Sequence, residues 1–289
     1  MVFPLRKWCG AAWLTVRGEA ARARRDLHRG GLGLRIAVLH DVPPATFDRF
    51  RRLLDHAIAR FDVVGPEAAA ELLEGRFAAG GRDKLLFTFD DGFASNHRAA
   101  ETLAERGLRA LFFVMPSFID RSRAEWIAGH RRAGREAFAV WAGGEPRGLS
   151  RSQLGEMVAM GHVIGAHNDA HLDLGRLGDA DAVRGEVDRA IDGVEALTGA
   201  VCRDFAIAFG RPRHCHPAAL DRLRQRGSRV YACVRGLNLP GLSPRLLLRD
   251  QIDPHDPWIF QRACLAGAVD RRWAREAAEL ARLGGVVPE

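Results

Sequence analysis

The chain has 289 residues, 47% hydrophobic and 27% charged, a globular composition long enough to bury the core of one sizeable domain or two small ones. Its formal net charge of +7 comes from arginines spread along the chain, and no helix-turn-helix, zinc-finger or RNA-binding signature accompanies them, so we expect no nucleic-acid partner. Five cysteines without a C-x-x-C pair argue against a disulfide framework, and no run approaches the ~20 apolar residues of a membrane-spanning helix.

The chain begins with a basic segment, residues 1–32, which we separate from a single globular domain, residues 33–289. The apolar stretch from Trp8 to Val16 is short and runs into Arg17 without a cleavage site. It does not indicate a secretion signal, so we expect a cytoplasmic protein. The basic segment offers a peripheral contact with an acidic membrane surface.

In the first half, apolar runs alternate with segments of helical period. In chain order, they predict strand 34–39, helix 46–61, strand 85–89, helix 95–107 and strand 110–114. Ser95 is the predicted N-cap of the second helix and Gly107 its stop. Residues 116–149 are polar and predict an irregular insertion that contains Trp126 and Trp141.

The second half continues the alternation. It predicts helix 150–161, strand 162–166, helix 183–199, strand 204–209, helix 217–226, strand 229–234, a further strand at 246–248 and helix 271–283. Ser150 and Gln153 form a capping-box signature, and Pro217 suits the first turn of its helix. His162 lies at the start of its strand, away from the carboxyl end where functional residues are expected, so we expect a structural role for it.

This alternation predicts an α/β fold with a parallel sheet, either a barrel or an open doubly wound sheet. In both architectures, functional sites form where the strands end at their carboxyl side. Polar groups follow five of the apolar runs, so the fold would bring them to one rim. They are His40, Asp90 with Asp91, His167 with His171, Phe209 to Arg211, and Arg249 with Asp250.

The residues after two of these runs predict a metal site. Two imidazoles and one carboxylate form the open ligand set of a catalytic metal ion, which leaves room for water and a substrate oxygen. A nearby base must still take the proton from that water. We assign His167, His171 and Asp91 to the metal and Asp90 to the base.

Two other functions are compatible with parts of this pattern. His167 and Asp169 have the spacing of a two-His-one-carboxylate iron oxygenase, although that chemistry normally uses an antiparallel β-fold. The arginines could alternatively make the chain a non-catalytic binder of an anionic polymer.

Two motifs resemble those of the polysaccharide deacetylase family, carbohydrate esterase family 4, also called NodB-like. They are Thr88-Phe89-Asp90-Asp91-Gly92 and the stretch from Met160 to His171, and the resemblance covers roughly residues 33–262. It implies a distorted seven-stranded (β/α) barrel that removes N-acetyl, or sometimes O-acetyl, groups from sugars. It also implies that Asp90 is the general base and that Asp91, His167 and His171 bind zinc, with iron, cobalt or nickel as alternatives.

The chain departs from the family pattern in three motifs: the second, the third and the last. In the second, Asn168 stands where Ser or Thr commonly follows the first metal histidine, and Leu172 stands where Pro often follows the second. The third motif appears as the run from Ala206 to Gly210 and lacks the Arg that orients the base in many members. Backbone N–H groups of Phe209 and Gly210 could still stabilise an oxyanion, and Arg249 resembles a late Arg of one branch that would orient Asp90.

The general acid has two candidates. His40, within the run Val38 to Val42, resembles an N-terminal element of the branch that deacetylates poly-N-acetylglucosamine, in which this histidine replaces the usual acid. The alternative is His255, which lies six residues beyond Arg249, although the last family motif, Leu-x-His, has no clean copy in this chain. We therefore expect an acetylated sugar or glycan as substrate, and Trp126 and Trp141 either stack on its pyranose rings or pack in the interior. The sequence leaves open its chain length, the choice between N- and O-acetyl, and the oligomeric state.

Overall fold

The computed structural model describes residues 15–23, 33–76, 81–134, 146–240 and 246–285. The chain forms two compact units. Unit 1 contains residues 1–87 and 233–289, and unit 2 contains residues 88–232.

Nine strands occur in the described residues. They are β1 (Leu34–Leu39), β2 (Asp62–Val63), β3 (Lys84–Phe89), β4 (Leu111–Val114), β5 (Val163–Ala166), β6 (Asp204–Ala206), β7 (Arg229–Tyr231), β8 (Leu246–Leu247) and β9 (Asp250–Gln251).

Nine α-helices with defined bounds occur in the same part of the chain. They are α1 (Phe47–Arg60), α2 (Pro66–Leu73), α3 (Asn96–Ala104), α4 (Arg123–Arg132), α5 (Arg151–Ala159), α6 (Ala180–Thr198), α7 (Pro217–Gln225), α8 (Trp258–Leu265) and α9 (Ala274–Leu283). Four 3₁₀ turns matter for packing: Pro116–Phe118, Leu174–Arg176, Pro212–His214 and Asp270–Trp273.

Unit 2 is built on parallel strands. The end of β3 pairs with β4, and β4, β5, β6 and β7 then pair in succession, every pair parallel. The core strands β4 and β6 are buried along their whole length, as expected for a parallel sheet whose faces are both covered. Parallel neighbours end at the same edge, which places the residues after β3, β5 and β6 together.

Local sequence explains several helix ends in unit 2. Ser150 and Gln153 form both bonds of the capping box before α5. Gly199 ends α6 with a φ of 69°, the left-handed conformation that glycine adopts without steric cost. Val183, Val187 and Ile191 form the buried face of α6, as the helical spacing predicts.

Unit 1 contains β1 paired in parallel with β9, and β2 paired in parallel with the start of β3. Arg35 on β1 is buried, and its guanidinium contacts Asp250 at 2.6 Å and Asp270 at 2.8 Å. These two carboxylates compensate a cation that would otherwise be costly to bury.

The described residues 15–23 are helical and contact other parts of unit 1. The Thr15 side chain is buried, and a Cβ on Gly18 would lie 2.9 Å from the carbonyl oxygen of Ala266. Glu19 accepts a hydrogen bond from Arg262 at 2.7 Å. The boundary at residue 32 stays a prediction. Among the described helices, none combines the length and apolar character that a membrane crossing requires.

All seven predicted strands are present, and β2 and β9 are two further strands of two residues each. The predicted strand 204–209 is wrong at its end, because β6 stops at Ala206 and Phe209 has a left-handed φ of 62°. The prediction of an irregular insertion over residues 116–149 is also wrong in part. Its described residues contain α4, which Ser122 and Glu125 begin with a capping box.

Candidate active site

The first element of the site is the turn at the end of β3. Asp91 and Gly92 have φ values of 73° and 71°, so two successive left-handed residues turn the chain where the strand ends. A Cβ on Gly92 would lie 3.0 Å from Val114 and would be strained at this φ, which explains the glycine. The turn holds the carboxylates of Asp90 and Asp91 in buried positions, 3% and 2% exposed.

The second element is the loop after β5, which carries both histidines. Asn168 and His171 have left-handed φ values of 47° and 51°, so the loop reverses within four residues. The Asn168 side-chain amide donates to the carbonyl oxygen of Leu172 at 2.9 Å and closes the loop. Asn168 therefore stabilises the loop through its side chain, at the position where the family pattern commonly has Ser or Thr.

The two loops bring three side chains together. The Nε2 atoms of His167 and His171 lie 3.2 and 3.5 Å from Oδ1 of Asp91, and all three ligand atoms lie within 4.8 Å of one another. Ligands at ~2.05 Å from a tetrahedral ion are separated by about 3.3 Å. Asp91, His167 and His171 could therefore hold one metal ion.

The tautomer of His167 suits a ligand. Its Nδ1 lies 2.9 Å from the carbonyl oxygen of Ala206, which can only accept a hydrogen bond. Nδ1 therefore carries a proton, and Nε2, which faces Asp91, is the nitrogen placed to bind a metal ion. Such a backbone partner fixes the orientation of many metal-binding histidines.

Phe209 completes this edge of unit 2. Its ring lies between the imidazoles of His171 and His214, with centroid distances of 4.9 and 5.2 Å. Phe209 and Gly210 both have left-handed φ values, 62° and 57°, so the chain turns sharply after β6. The role of their N–H groups as oxyanion donors stays a prediction.

The family model of polysaccharide deacetylases matches residues 78–230, which is more than half of the chain. The chain belongs to the polysaccharide deacetylase family. It is a carbohydrate deacetylase, and hence a hydrolase, as predicted.

Solved structures support the same fold. IcaB from Ammonifex degensii is 24% identical over 81% of this chain and 97% of its own, with a TM-score of 0.60. The Streptococcus pyogenes deacetylase PplD is 16% identical over 77% of this chain and 93% of its own, with a TM-score of 0.59. The BpsB deacetylase domain from Bordetella bronchiseptica is 16% identical over 77% of this chain and 97% of its own, with a TM-score of 0.57.

These similarities confirm the α/β, NodB-like fold, which the resemblance described as a distorted seven-stranded (β/α) barrel; the described residues contain nine strands instead of seven. A search of curated proteins found no match.

The remaining predicted site residues lie in the other unit of the deacetylase. His40 directly follows β1, and Arg249 is buried between β8 and β9. His255, the alternative acid, is exposed, and its Nδ1 lies 3.0 Å from Oδ1 of Asp253. The roles of all three stay predictions.

The alternative ligand set of an iron oxygenase is not formed in the deacetylase. Oδ1 of Asp169 accepts a hydrogen bond from the Ser117 backbone at 3.2 Å, and Oδ2 lies 3.8 Å from Nε of Arg189. In the described part of the chain, the ligand atoms close enough to share one metal ion belong to Asp91, His167 and His171, and not to Asp169. Its carboxylate anchors the loop instead.

Two structural residues are also clear in the deacetylase. His162 accepts a hydrogen bond at Nδ1 from the Ala110 backbone and lies 3.0 Å through Nε2 from the carbonyl oxygen of Ala100. Burial lowers the pKa of His162, in agreement with its predicted structural role. Trp126 is fully buried and donates to Ser117 Oγ, so it is not exposed to a sugar. Trp141 lies outside the described residues.

Sequence reasoning missed the residues that support the histidine loop, above all Glu186. Its side chain is fully buried on α6 and contacts the loop backbone. The available signal was a charged residue beside Val183 and Val187 on the apolar face of a helix. Charged residues are rarely buried completely unless they have a partner.

Proposed function

We propose that this deacetylase is metal-dependent and removes N-acetyl groups from a glycan of the N-acetylglucosamine type. The observation that carries the proposal is the buried cluster of Asp91, His167 and His171 in a chain of this family. Two imidazole nitrogens and one carboxylate suit zinc, which is the ion we expect, and iron, cobalt and nickel accept the same donors. When bound, such an ion would lower the pKa of a water molecule and polarise the acetyl carbonyl.

The two neighbouring carboxylates have different proposed roles, one as a metal ligand and the other as the general base. Asp91 places Oδ1 between the two histidines, whereas Asp90 is not part of the ligand group in the described residues. We assign Asp90 as the general base that accepts a proton from the attacking water. Its carboxylate is buried and therefore shielded from bulk water.

The other roles are assigned by the family resemblance. Backbone N–H groups of Phe209 and Gly210 would stabilise the negative charge that develops on the acetyl oxygen. His40 would donate a proton to the departing sugar amine, with His255 as the alternative acid. Arg249 would orient Asp90.

The substrate class follows from the same resemblance. The element around His40 resembles the branch that deacetylates poly-N-acetylglucosamine, and the fold is similar to those of IcaB and the BpsB deacetylase domain. We propose a substrate with repeated N-acetylglucosamine units. A cytoplasmic location and a peripheral membrane contact through residues 1–32 remain part of the proposal.

Asparagine variants of the two carboxylates test this function. We expect Asp90→Asn to retain the metal and to lose deacetylation of an N-acetylglucosamine oligomer by about 100- to 10,000-fold, because only the base is removed. Asp91→Asn should lose both metal and activity. Released acetate and metal content per chain are the two measurements.

Asp120→Asn is the matched control for these variants. Asp120 is another aspartate with a left-handed φ, 65°, but it contacts Arg151 at the protein surface. This variant should retain both metal and activity. Full activity of Asp90→Asn, or undiminished metal content in Asp91→Asn, would contradict the assignment.

A further inference from the structure

Glu186 is a fully buried carboxylate that contacts the loop between the two histidines. Its Oε1 accepts hydrogen bonds from the backbone amides of Asp169 and Ala170, at 3.0 and 2.5 Å. Its Oε2 accepts from the guanidinium of Arg189 at 2.8 Å. Both oxygens are therefore used as acceptors, and two of these three bonds go to the loop.

The loop needs such a partner. Asp169 and Ala170 are buried and belong to no helix or strand, so regular secondary structure does not satisfy their amides. The flanking residues Asn168 and His171 have left-handed φ values. Each such residue costs about 1–2 kcal/mol, so external contacts must hold this conformation.

We propose that Glu186 is a positioning residue of the metal site. By holding the amides of Asp169 and Ala170 through one oxygen, it sets the path of the backbone between His167 and His171. It thereby sets the distance between their Nε2 atoms. The inference rests on one part of the proposed function, namely that His167 and His171 bind a metal.

A second anchor holds the same loop. Ser117 Oγ donates to the carbonyl oxygen of Asp169 at 2.7 Å and accepts from Nε1 of Trp126 at 2.9 Å. Because its only hydrogen is used, His130 Nε2, at 2.9 Å, must donate to it. The hydroxyl is therefore a structural contact and not a nucleophile. With this anchor intact, loss of Glu186 should loosen the loop without unfolding the unit.

The experiment compares Glu186→Ala and Glu186→Gln with Glu195→Ala. Glu195 lies on the same helix and also accepts one backbone amide, that of Cys202 at 3.0 Å, but that segment carries no predicted ligand. The first measurement is zinc affinity by competition with a chelator. We expect Glu186→Ala to bind zinc about 10- to 100-fold more weakly, as for other residues that orient ligands.

Glu186→Gln retains an oxygen that can accept both amides, so it should recover most of the affinity. Glu195→Ala should bind zinc like the unmodified protein. This pattern separates the positioning of the loop from a general loss of stability of α6.

The second measurement is hydrogen exchange of the Asp169 and Ala170 amides in metal-free protein. Exchange should accelerate in Glu186→Ala and remain unchanged in Glu195→Ala, because only the first variant frees these amides. If the unmodified protein binds no zinc, the proposed function fails, while the exchange rates still show whether Glu186 holds the loop.

The inference is wrong if folded Glu186→Ala keeps both the zinc affinity and the exchange rates of the unmodified protein. Should Glu186→Ala fail to fold, Glu186→Asp decides the question. Its carboxylate is one methylene shorter and cannot reach both amides from the same backbone position. It should show weaker zinc binding and faster exchange, and unchanged values would equally reject the inference.

Discussion

At the scale of single residues, backbone strain is concentrated around the site. Five non-glycine residues in the described part of the chain have a positive φ, and four of them form the turns that carry or flank the candidate ligands: Asp91, Asn168, His171 and Phe209. Such conformations persist only where surrounding contacts hold them, and they cluster at functional sites. The metal would therefore bind to a geometry that the protein has already formed.

Substitution of Asn168 tests this strain. We expect Asn168→Ala to lower the free energy of unfolding by about 2 kcal/mol, because alanine is disfavoured at a left-handed φ and the bond to Leu172 is lost. Asn168→Gly loses only that bond, so it should be the more stable variant by about 1 kcal/mol. Urea unfolding of the metal-free protein measures both, and equal stabilities would show that the backbone conformation costs little.

The ligand residues could be predicted from the sequence, whereas their supports could not. Asp91, His167 and His171 follow apolar strands, and parallel strands bring such positions to one edge. Glu186 can be recognised in the sequence as a charged residue on an apolar helix face, but its partners are backbone amides, which no side-chain pattern reveals. Ser117 reaches Asp169 across a separation of 52 residues, and no periodicity links the two segments.

At the scale of elements, the hydrophobic pattern located seven strands and six of the nine described α-helices, but it missed β2, β9, α2, α4 and α8. The two-residue strands β2 and β9 are too short to show a period. Helix α8 has eight residues and follows two prolines, so its sequence resembles a loop. The end of β6 was missed because the apolar run continues to Phe209, whereas the strand ends at Ala206 and Phe209 has a left-handed φ, with its ring between His171 and His214.

Packing between two 3₁₀ turns gives a prediction at this scale. A Cβ on Gly175 would overlap the carbonyl oxygen of Arg213, so the turns Leu174–Arg176 and Pro212–His214 meet only because residue 175 has no side chain. Gly175→Ala should force them apart and lower stability by about 1–3 kcal/mol. The turns follow His171 and Phe209, so activity should fall as well.

Gly178→Ala is the matched control, because a Cβ on Gly178 would meet no atom within 4 Å. We expect this variant to retain the melting temperature and deacetylation rate of the unmodified protein. Melting curves and acetate release compare the two. If both variants behave alike, the contact between the two turns does not constrain the site.

At the scale of the whole molecule, the predicted functions divide between the two units. The candidate ligands Asp91, His167 and His171 all lie in unit 2, whereas His40 and Arg249 belong to unit 1. Metal binding should therefore depend on residues of unit 2. The family model covers residues 78–230 and so matches mainly unit 2, which contains both motifs that carry the resemblance, residues 88–92 and 160–171.

Metal binding should stabilise the folded state that holds the site, because the unfolded chain does not hold the three ligands together. An ion at about 100 times its dissociation constant adds ~2.7 kcal/mol, which should raise the melting temperature of a protein of this size by roughly 5 °C. We expect this increase with zinc or cobalt and its reversal by a chelator. Magnesium and calcium prefer oxygen ligands, so at the same concentration they should cause no increase. Asp91→Asn should abolish the zinc effect and Asp120→Asn should retain it, whereas an equal increase in both variants would place the stabilising ion elsewhere on the protein.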